Sequence, residues 1–189
     1  MQDTRETIMT LARATAQAHG YNGLSFRELA KAVGVKSASV HYHFPTKGDL
    51  GTALARRYRE EAVATLEGYW AESRDPIRCL RHYTALFRLA LENENRMCMC
   101  GFMAAEHNDL PDAVRIEVEG FGNANIKWLA EMLAALDPNA DPAAVHRQAT
   151  AIFAAVGGAQ LAARSRNDIA TYDDIIAAYR ATGLIPDRR

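Results

Sequence analysis

No apolar run in these 189 residues approaches the ~20 that a membrane-spanning helix requires, although hydrophobic residues make up 49% of the chain. That apolar content is available for a core, and no membrane partner is expected. Cysteine is scarce. Cys79, Cys98 and Cys100 are odd in number, which argues against a disulfide framework and fits a reducing compartment. Neither sign of charge dominates, with 22 Lys and Arg against 23 Asp and Glu, so the whole-chain balance does not point to nucleic acid. Strand alternation and internal repeats are missing. So are a phosphate loop, a nucleophile elbow, a His-Glu-x-x-His pair and a paired-acid motif, which removes the common enzyme classes. His82, His107 and His146 are scattered, and a lone histidine is usually structural. No motif calls for a cofactor or a metal. The opening MQDTRETIMTLARA is charged and helical, unlike a secretion leader, so a cytoplasmic location is expected.

What the chain does contain is helical periodicity, with Pro and Gly falling between the periodic segments. The expected fold is all-α. Residues 4–19 form a first helix with Ile8, Leu11, Ala12 and Thr15 inward, stopped at Gly20. Ser25 followed by Glu28 is a capping-box signature for a second helix, whose inward stripe is Leu29, Ala30 and Val33. Gly34 supplies a reversal and Ser37 an N-cap for a third helix, with Val40 and Phe44 on one face. Thr46 and Asp49 cap a long helix to about residue 72. Asp75-Pro76 and Asp141-Pro142 each pair an N-cap with proline at the first helical position, opening helices to about 92 and about 165. Between them lie a short helix over 101–108 and a longer one from Pro111 to about 136. Thr171 and Asp174 are expected to cap a last helix over 172–181, closed by Gly183.

Residues 25–50, SFRELAKAVGVKSASVHYHFPTKGDL, carry the chemistry. Two short helices joined by a glycine turn make a helix-turn-helix. Packing claims Val40 and Phe44, which leaves Lys36, Ser37, Ala38, Ser39, His41, Tyr42 and His43 on other faces and Lys47 just beyond. Hydroxyls, rings and cations in that order suit DNA phosphates and base edges. Ser25 and Arg27 are placed to add phosphate contacts from the preceding helix. Three consecutive ring residues cannot all face inward on a helix, although amphipathic packing remains the bland alternative. Charge agrees in sign: residues 1–50 hold 6 cations against 4 anions, and residues 51–189 hold 16 against 19. Phosphate affinity per head is therefore modest and depends on doubling by a dimer.

The same stretch resembles the N-terminal domain of the TetR family of bacterial repressors. The match runs through the Ala-Val-Gly-Val turn, Val40-His41-Tyr42-His43-Phe44-Pro45-Thr46-Lys47 and Leu50. His41 stands where the family usually has Tyr, and Gly48 where an acidic residue is usual. The resemblance implies about nine helices, a DNA-binding head at 1–48 and a ligand-binding, dimerising body at 49–189. It also implies a homodimer on palindromic double-stranded operator DNA, released by a small-molecule inducer.

Beyond the head, Met97-Cys98-Met99-Cys100-Gly101-Phe102-Met103 is a sulfur-rich helix junction. Met packs adaptably around varied shapes, so it could line a cavity; buried core packing is the alternative. In a branch of the family a cysteine at this place senses electrophiles or oxidants, which makes Cys98 a candidate reactive thiol. Cys98, Cys100 and His107 lack the fourth ligand and the spacing of a structural zinc site. Candidate inducer contacts are Trp70, Tyr83, Phe87, Cys98, Met99, Phe102, Met103, Phe121 and Trp128, all large or soft residues on the middle helices. The Gly157-Gly158 pair costs ~1 kcal/mol per glycine in a helix, and close approach of helices would offset it. With Ile152, Val156, Gln160, Ile176 and Tyr179 it is the expected dimer interface, matching the family's four-helix arrangement; an intramolecular contact is the alternative. The rival reading is a helical small-molecule-binding or enzymatic protein that uses the helix-turn-helix only as scaffold.

Overall fold

The computed structural model describes residues 3–188, and every regular element among them is a helix. The order is α1 Thr4–His19, α2 Phe26–Val33, α3 Ser37–His43, α4 Lys47–Ser73, α5 Pro76–Glu92, α6 Met99–Ala105, a 3₁₀ turn His107–Asp109, α7 Asp112–Leu136, α8 Pro142–Arg166 and α9 Ile169–Ala181.

Side-chain caps set most of these boundaries. Asp3, Asp75 and Asp141 each accept backbone N–H groups at the start of their helices. Thr46 and Asp49 cap α4 reciprocally, Asp49 accepting the Thr46 N–H at 2.9 Å while Thr46 Oγ1 accepts the Asp49 N–H at 3.1 Å. Gly34 closes α2 at φ 78°, ψ 30°, a left-handed conformation that releases the N–H of Val35 to Ala30 O.

Three boundaries depart from the sequence expectation. Ser37 is the first residue of α3 rather than its cap; Lys36 takes the cap position and supplies no side-chain acceptor. Helix α6 begins two residues early, at Met99, and ends at Ala105. Helix α9 begins at Ile169, because Asp168 accepts both the Ala170 N–H and the Thr171 hydroxyl immediately after the left-handed Asn167. In α1 the inward stripe is Ile8, Met9, Ala12 and Ala16, with Leu11 and Thr15 only half-buried.

The chain divides into two compact units. The first takes the described residues up to Glu60 together with Cys98–Phe121, so it contains the whole of 3–48 and more. Here α1 packs on α2, α3 and α6 around Ile8, Met9, Leu24, Leu29, Val40, Phe44, Leu50, Met99 and Met103. The second unit takes Glu61–Met97 and the chain from Gly122 onward. In it α8 packs on α5 and α9, and the core holds Leu80, Tyr83, Leu129, Ile152, Val156, Ala159, Tyr172 and Ile176. Buried hydrogen bonds lock the second unit: Tyr172 OH donates to Thr84 O at 2.7 Å, and Gln160 Nε2 to Phe87 O at 2.7 Å.

Candidate nucleic-acid interface and ligand site

Helix α3 is held by its apolar face and open on the rest. Val40 and Phe44 are buried, while Lys36, Ser37, Ala38 and His41 are exposed and Tyr42 is 84% exposed. The Tyr42 ring leans edge-on against His43 at 5.2 Å. The His41 ring meets Phe26 at 4.8 Å. Its Nδ1 lies 3.2 Å from Pro45 O, and since a carbonyl only accepts, Nδ1 carries the proton and Nε2 is left for an outside partner. Ser39 and His43 are half-buried. Ser25 caps α2 through the Glu28 N–H at 3.4 Å, and Arg27 is 90% exposed beside Glu28.

Lys47 is engaged differently from the rest. Its Nζ donates to Asn22 O at 3.3 Å and lies 4.6 Å from the Tyr21 ring centroid. Burial lowers its pKa, against the opposing charge of Glu106. Sequence reasoning missed the cluster around it. Glu106, immediately after α6, accepts the Tyr21 N–H at 2.5 Å and the Asn22 N–H at 3.0 Å, and Asp109 accepts from Asn22 Nδ2 at 2.7 Å. Gly20, at φ 73°, sits so close that a Cβ there would overlap the Glu106 carboxylate. The turn between α1 and α2 is thus clamped by the C-terminal end of α6. Nothing local marks this, because the partners are 84–87 residues apart.

The sulfur-rich junction is buried. Cys98, Met99, Cys100 and Met103 lie in the core of the first unit, and Phe102 is half-buried. Burial pushes the Cys98 thiol up despite hydrogen bonds from the Gly101 and Cys100 backbone and from the Tyr58 hydroxyl; Cys100 is pushed well up for the same reason. The thiolate that a helix N-terminus would favour is therefore outweighed by desolvation. Arg13 lies 4.8 Å over the Tyr58 ring, which meets Phe121 at 5.4 Å. On either side of Tyr58 in α4, Arg56 and Arg59 hold the buried Glu117 at 2.8 and 3.0 Å. Burial raises the Glu117 carboxyl, but the two guanidinium groups outweigh it and keep it below the usual carboxylate range.

Of the other candidate inducer contacts, the second unit brings Tyr83, Phe87 and Trp128 together. Tyr83 stacks on Trp128 at 5.8 Å and meets Phe87 at 5.3 Å. Trp70 is half-buried, with the Arg74 guanidinium 5.4 Å from its ring centroid. Of the expected interface residues, Ile152, Val156, Gln160 and Ile176 are buried within the chain itself, and Gln160 is spent on Phe87 O. Gly158 is exposed and Gly157 and Tyr179 half-buried, and a Cβ on either glycine would meet nothing within 4 Å. Among the described residues no three His, Cys, Asp or Glu side chains are grouped to hold a metal, and no helix is long and apolar enough to cross a membrane.

Residues 8–54 match the bacterial regulatory proteins of the tetR family. No curated protein matches the chain in sequence. Among solved structures, a TetR transcriptional regulator from Legionella pneumophila is 29% identical with a TM-score of 0.88, over 96% of this chain and 98% of that one. A TetR-family transcriptional regulator from Agrobacterium tumefaciens is likewise 29% identical with a TM-score of 0.88, over 96% of this chain and 97% of that one. The reduced form of NemR from E. coli shares the fold at 21% identity, with a TM-score of 0.79 over 95% and 96% of the two chains.

Proposed function

From a chain that carries the tetR-family N-terminal domain and the fold of TetR transcriptional regulators, we infer a ligand-responsive repressor that binds palindromic operator DNA as a homodimer. The observation that carries this is the open face of α3, where Lys36, Ser37, Ala38, His41 and Tyr42 stand exposed over a buried Val40 and Phe44. Lys36, Tyr42 and His43 are assigned to phosphates, with Ser25 and Arg27 beside them. Ser37, Ala38, Ser39 and His41 are assigned to base edges, where a ring nitrogen and hydroxyls discriminate donor from acceptor patterns.

A dimer brings two such helices to successive major grooves, ~34–36 Å apart. The open Gly157–Gly158 stretch of α8, with Tyr179 of α9, is the surface assigned to the second copy. The inducer acts by population shift: it binds better to a state in which the two heads are wrongly spaced, and so drains the DNA-bound state. The aromatic cluster of Tyr83, Phe87 and Trp128 is the assigned inducer contact. Titration of labelled DNA from the chain's own promoter by fluorescence anisotropy, beside a scrambled duplex at several salt concentrations, tests the reading. Equal affinity for the two duplexes at every salt would sink it.

A further inference from the structure

Within the second unit, Trp128 is 6% exposed and its indole Nε1–H is buried with no hydrogen-bond partner. Indole nitrogen is a donor only, and a buried Trp ordinarily finds an acceptor for it. An orphaned donor in a packed interior is costly and calls for a cause. Elsewhere in the same unit Tyr172 OH donates to Thr84 O, Gln160 Nε2 to Phe87 O, and Thr84 Oγ1 to Arg81 O while accepting from Arg180. Around the indole stand the Tyr83 ring, stacked at an interplanar angle of 23°, and behind it Phe87. Asn125, 3% exposed, lies one turn earlier on α7 and adds an amide to the same side.

Rings and an amide carry no formal charge, so a charged ligand would lose its hydration here without a counterion. A neutral ligand whose only demand is to be met by one N–H fits the chemistry. We propose that Trp128, with Tyr83 and Phe87, forms the recognition end of a site for a neutral planar aromatic molecule bearing a hydrogen-bond acceptor, an aryl ketone or aldehyde being the simplest case. The ring body packs against the aromatic side chains and the acceptor oxygen takes the Trp128 Nε1–H. This names the ligand class of the inducer contact proposed above and rests on that reading.

Acetophenone and α-methylstyrene test it, since they have nearly the same shape and only the ketone accepts a hydrogen bond. Equilibrium dialysis against the full chain should show acetophenone bound about tenfold more tightly, or about 1.4 kcal/mol. The preference should vanish in Trp128→Phe, which keeps a ring and loses the donor. In nitrogen-15 spectra, the indole N–H that exchanges slowest with solvent should move downfield with acetophenone and not with α-methylstyrene. That measurement serves even where Trp128→Phe does not fold. Equal binding of the two probes, a preference that survives Trp128→Phe, or no binding of either overturns the proposal. Adding acetophenone to the operator complex separates the two readings. Trp128-dependent binding that leaves the operator complex intact keeps the site and removes its role as inducer contact.

Discussion

Replacing Glu106 should loosen the proposed DNA-binding helix-turn-helix, because its carboxylate is the clamp on the turn between α1 and α2. It accepts two backbone N–H groups, from Tyr21 at 2.5 Å and Asn22 at 3.0 Å. Hydrogen bonds to a charged acceptor contribute about 1.5–3 kcal/mol each. Asn22 is exposed, so its N–H recovers water when the carboxylate is removed; Tyr21 is 5% exposed and its N–H recovers less. Glu106→Ala should therefore cost about 2–3 kcal/mol, or roughly 5–10 °C in Tm for a chain of this size. Glu106→Gln keeps one acceptor oxygen but turns an NH₂ toward the other N–H, and should cost about half as much.

Gly20 provides the internal control. A Cβ there collides with the pinned carboxylate, and φ 73° strains any side chain regardless of space. Gly20→Ala and Glu106→Ala should each destabilise, yet the double variant should cost less than their sum, since removing the carboxylate relieves the collision. Urea unfolding of the four proteins gives the cycle. Operator affinity should fall with Glu106→Ala while the slope of log affinity against log salt stays unchanged, because this residue touches no phosphate. Stability within about 0.5 kcal/mol of wild type, or strict additivity with Gly20→Ala, would refute the clamp.

Lys36→Ala and Lys47→Ala should behave differently in salt titrations: the first flattens the log–log slope by about one unit, whereas the second, tied to Asn22 O and the Tyr21 ring, lowers Tm more than it changes the slope. A slope change of one unit for Lys47→Ala would return Lys47 to the phosphate contacts. Gly158→Leu should leave the secondary structure of the single chain intact, since a Cβ there meets nothing within 4 Å, yet should shift sedimentation from dimer to monomer by overpacking the contact between copies. A wild-type monomer at micromolar concentration contradicts it. Because Arg56 and Arg59 hold Glu117 below the usual carboxylate pKa, its contribution is complete above about pH 4.3 and is lost as the pH falls below that value. Glu117→Gln should cost about 2 kcal/mol at neutral pH and show a shallower acid decline in urea unfolding; an identical decline would remove Glu117 as its source.

What the sequence revealed was what local chemistry decides. Asp75-Pro76, Asp141-Pro142 and the Thr46–Asp49 pair act within four residues, and the structure uses each of them as a cap. The start of α9 was misplaced because Asp168, Thr171 and Asp174 all offer a cap at threefold spacing, and only the left-handed turn at Asn167 selects the first. In α1 two of the four inward positions differ, Met9 and Ala16 being buried where Leu11 and Thr15 are expected, since Leu and Thr are as eligible for the core as Met and Ala. The open face of α3 was legible because Val40 and Phe44 left no other face inward. The clamp on the α1–α2 turn was not, and neither was the Arg56–Glu117–Arg59 pairing, because their partners lie 58 or more residues apart. Trp128 was readable as a large residue, but its orphaned donor is a property of what surrounds it.

The same contacts fix how steeply operator binding should respond to salt. Of the six cations in residues 1–50, Lys47 is held by Asn22 O, Arg13 lies over the Tyr58 ring and Arg5 over the Phe44 ring. Arg27, Lys31 and Lys36 remain exposed, and the Arg27 pairing with Glu28 is a surface contact that a phosphate can displace. A head therefore offers about three cations to phosphates and a dimer about six, for a slope near −5 in log affinity against log salt. That is a shallow dependence, so under the proposed assignment little of the affinity comes from non-specific attraction and more of it from the base edges that Ser37 to His41 would meet. Anisotropy titrations between about 50 and 200 mM salt span enough range to fix the slope. A value steeper than about −8 would require cations from beyond residue 50 at the DNA, and would overturn the assignment of the interface to the helix-turn-helix alone.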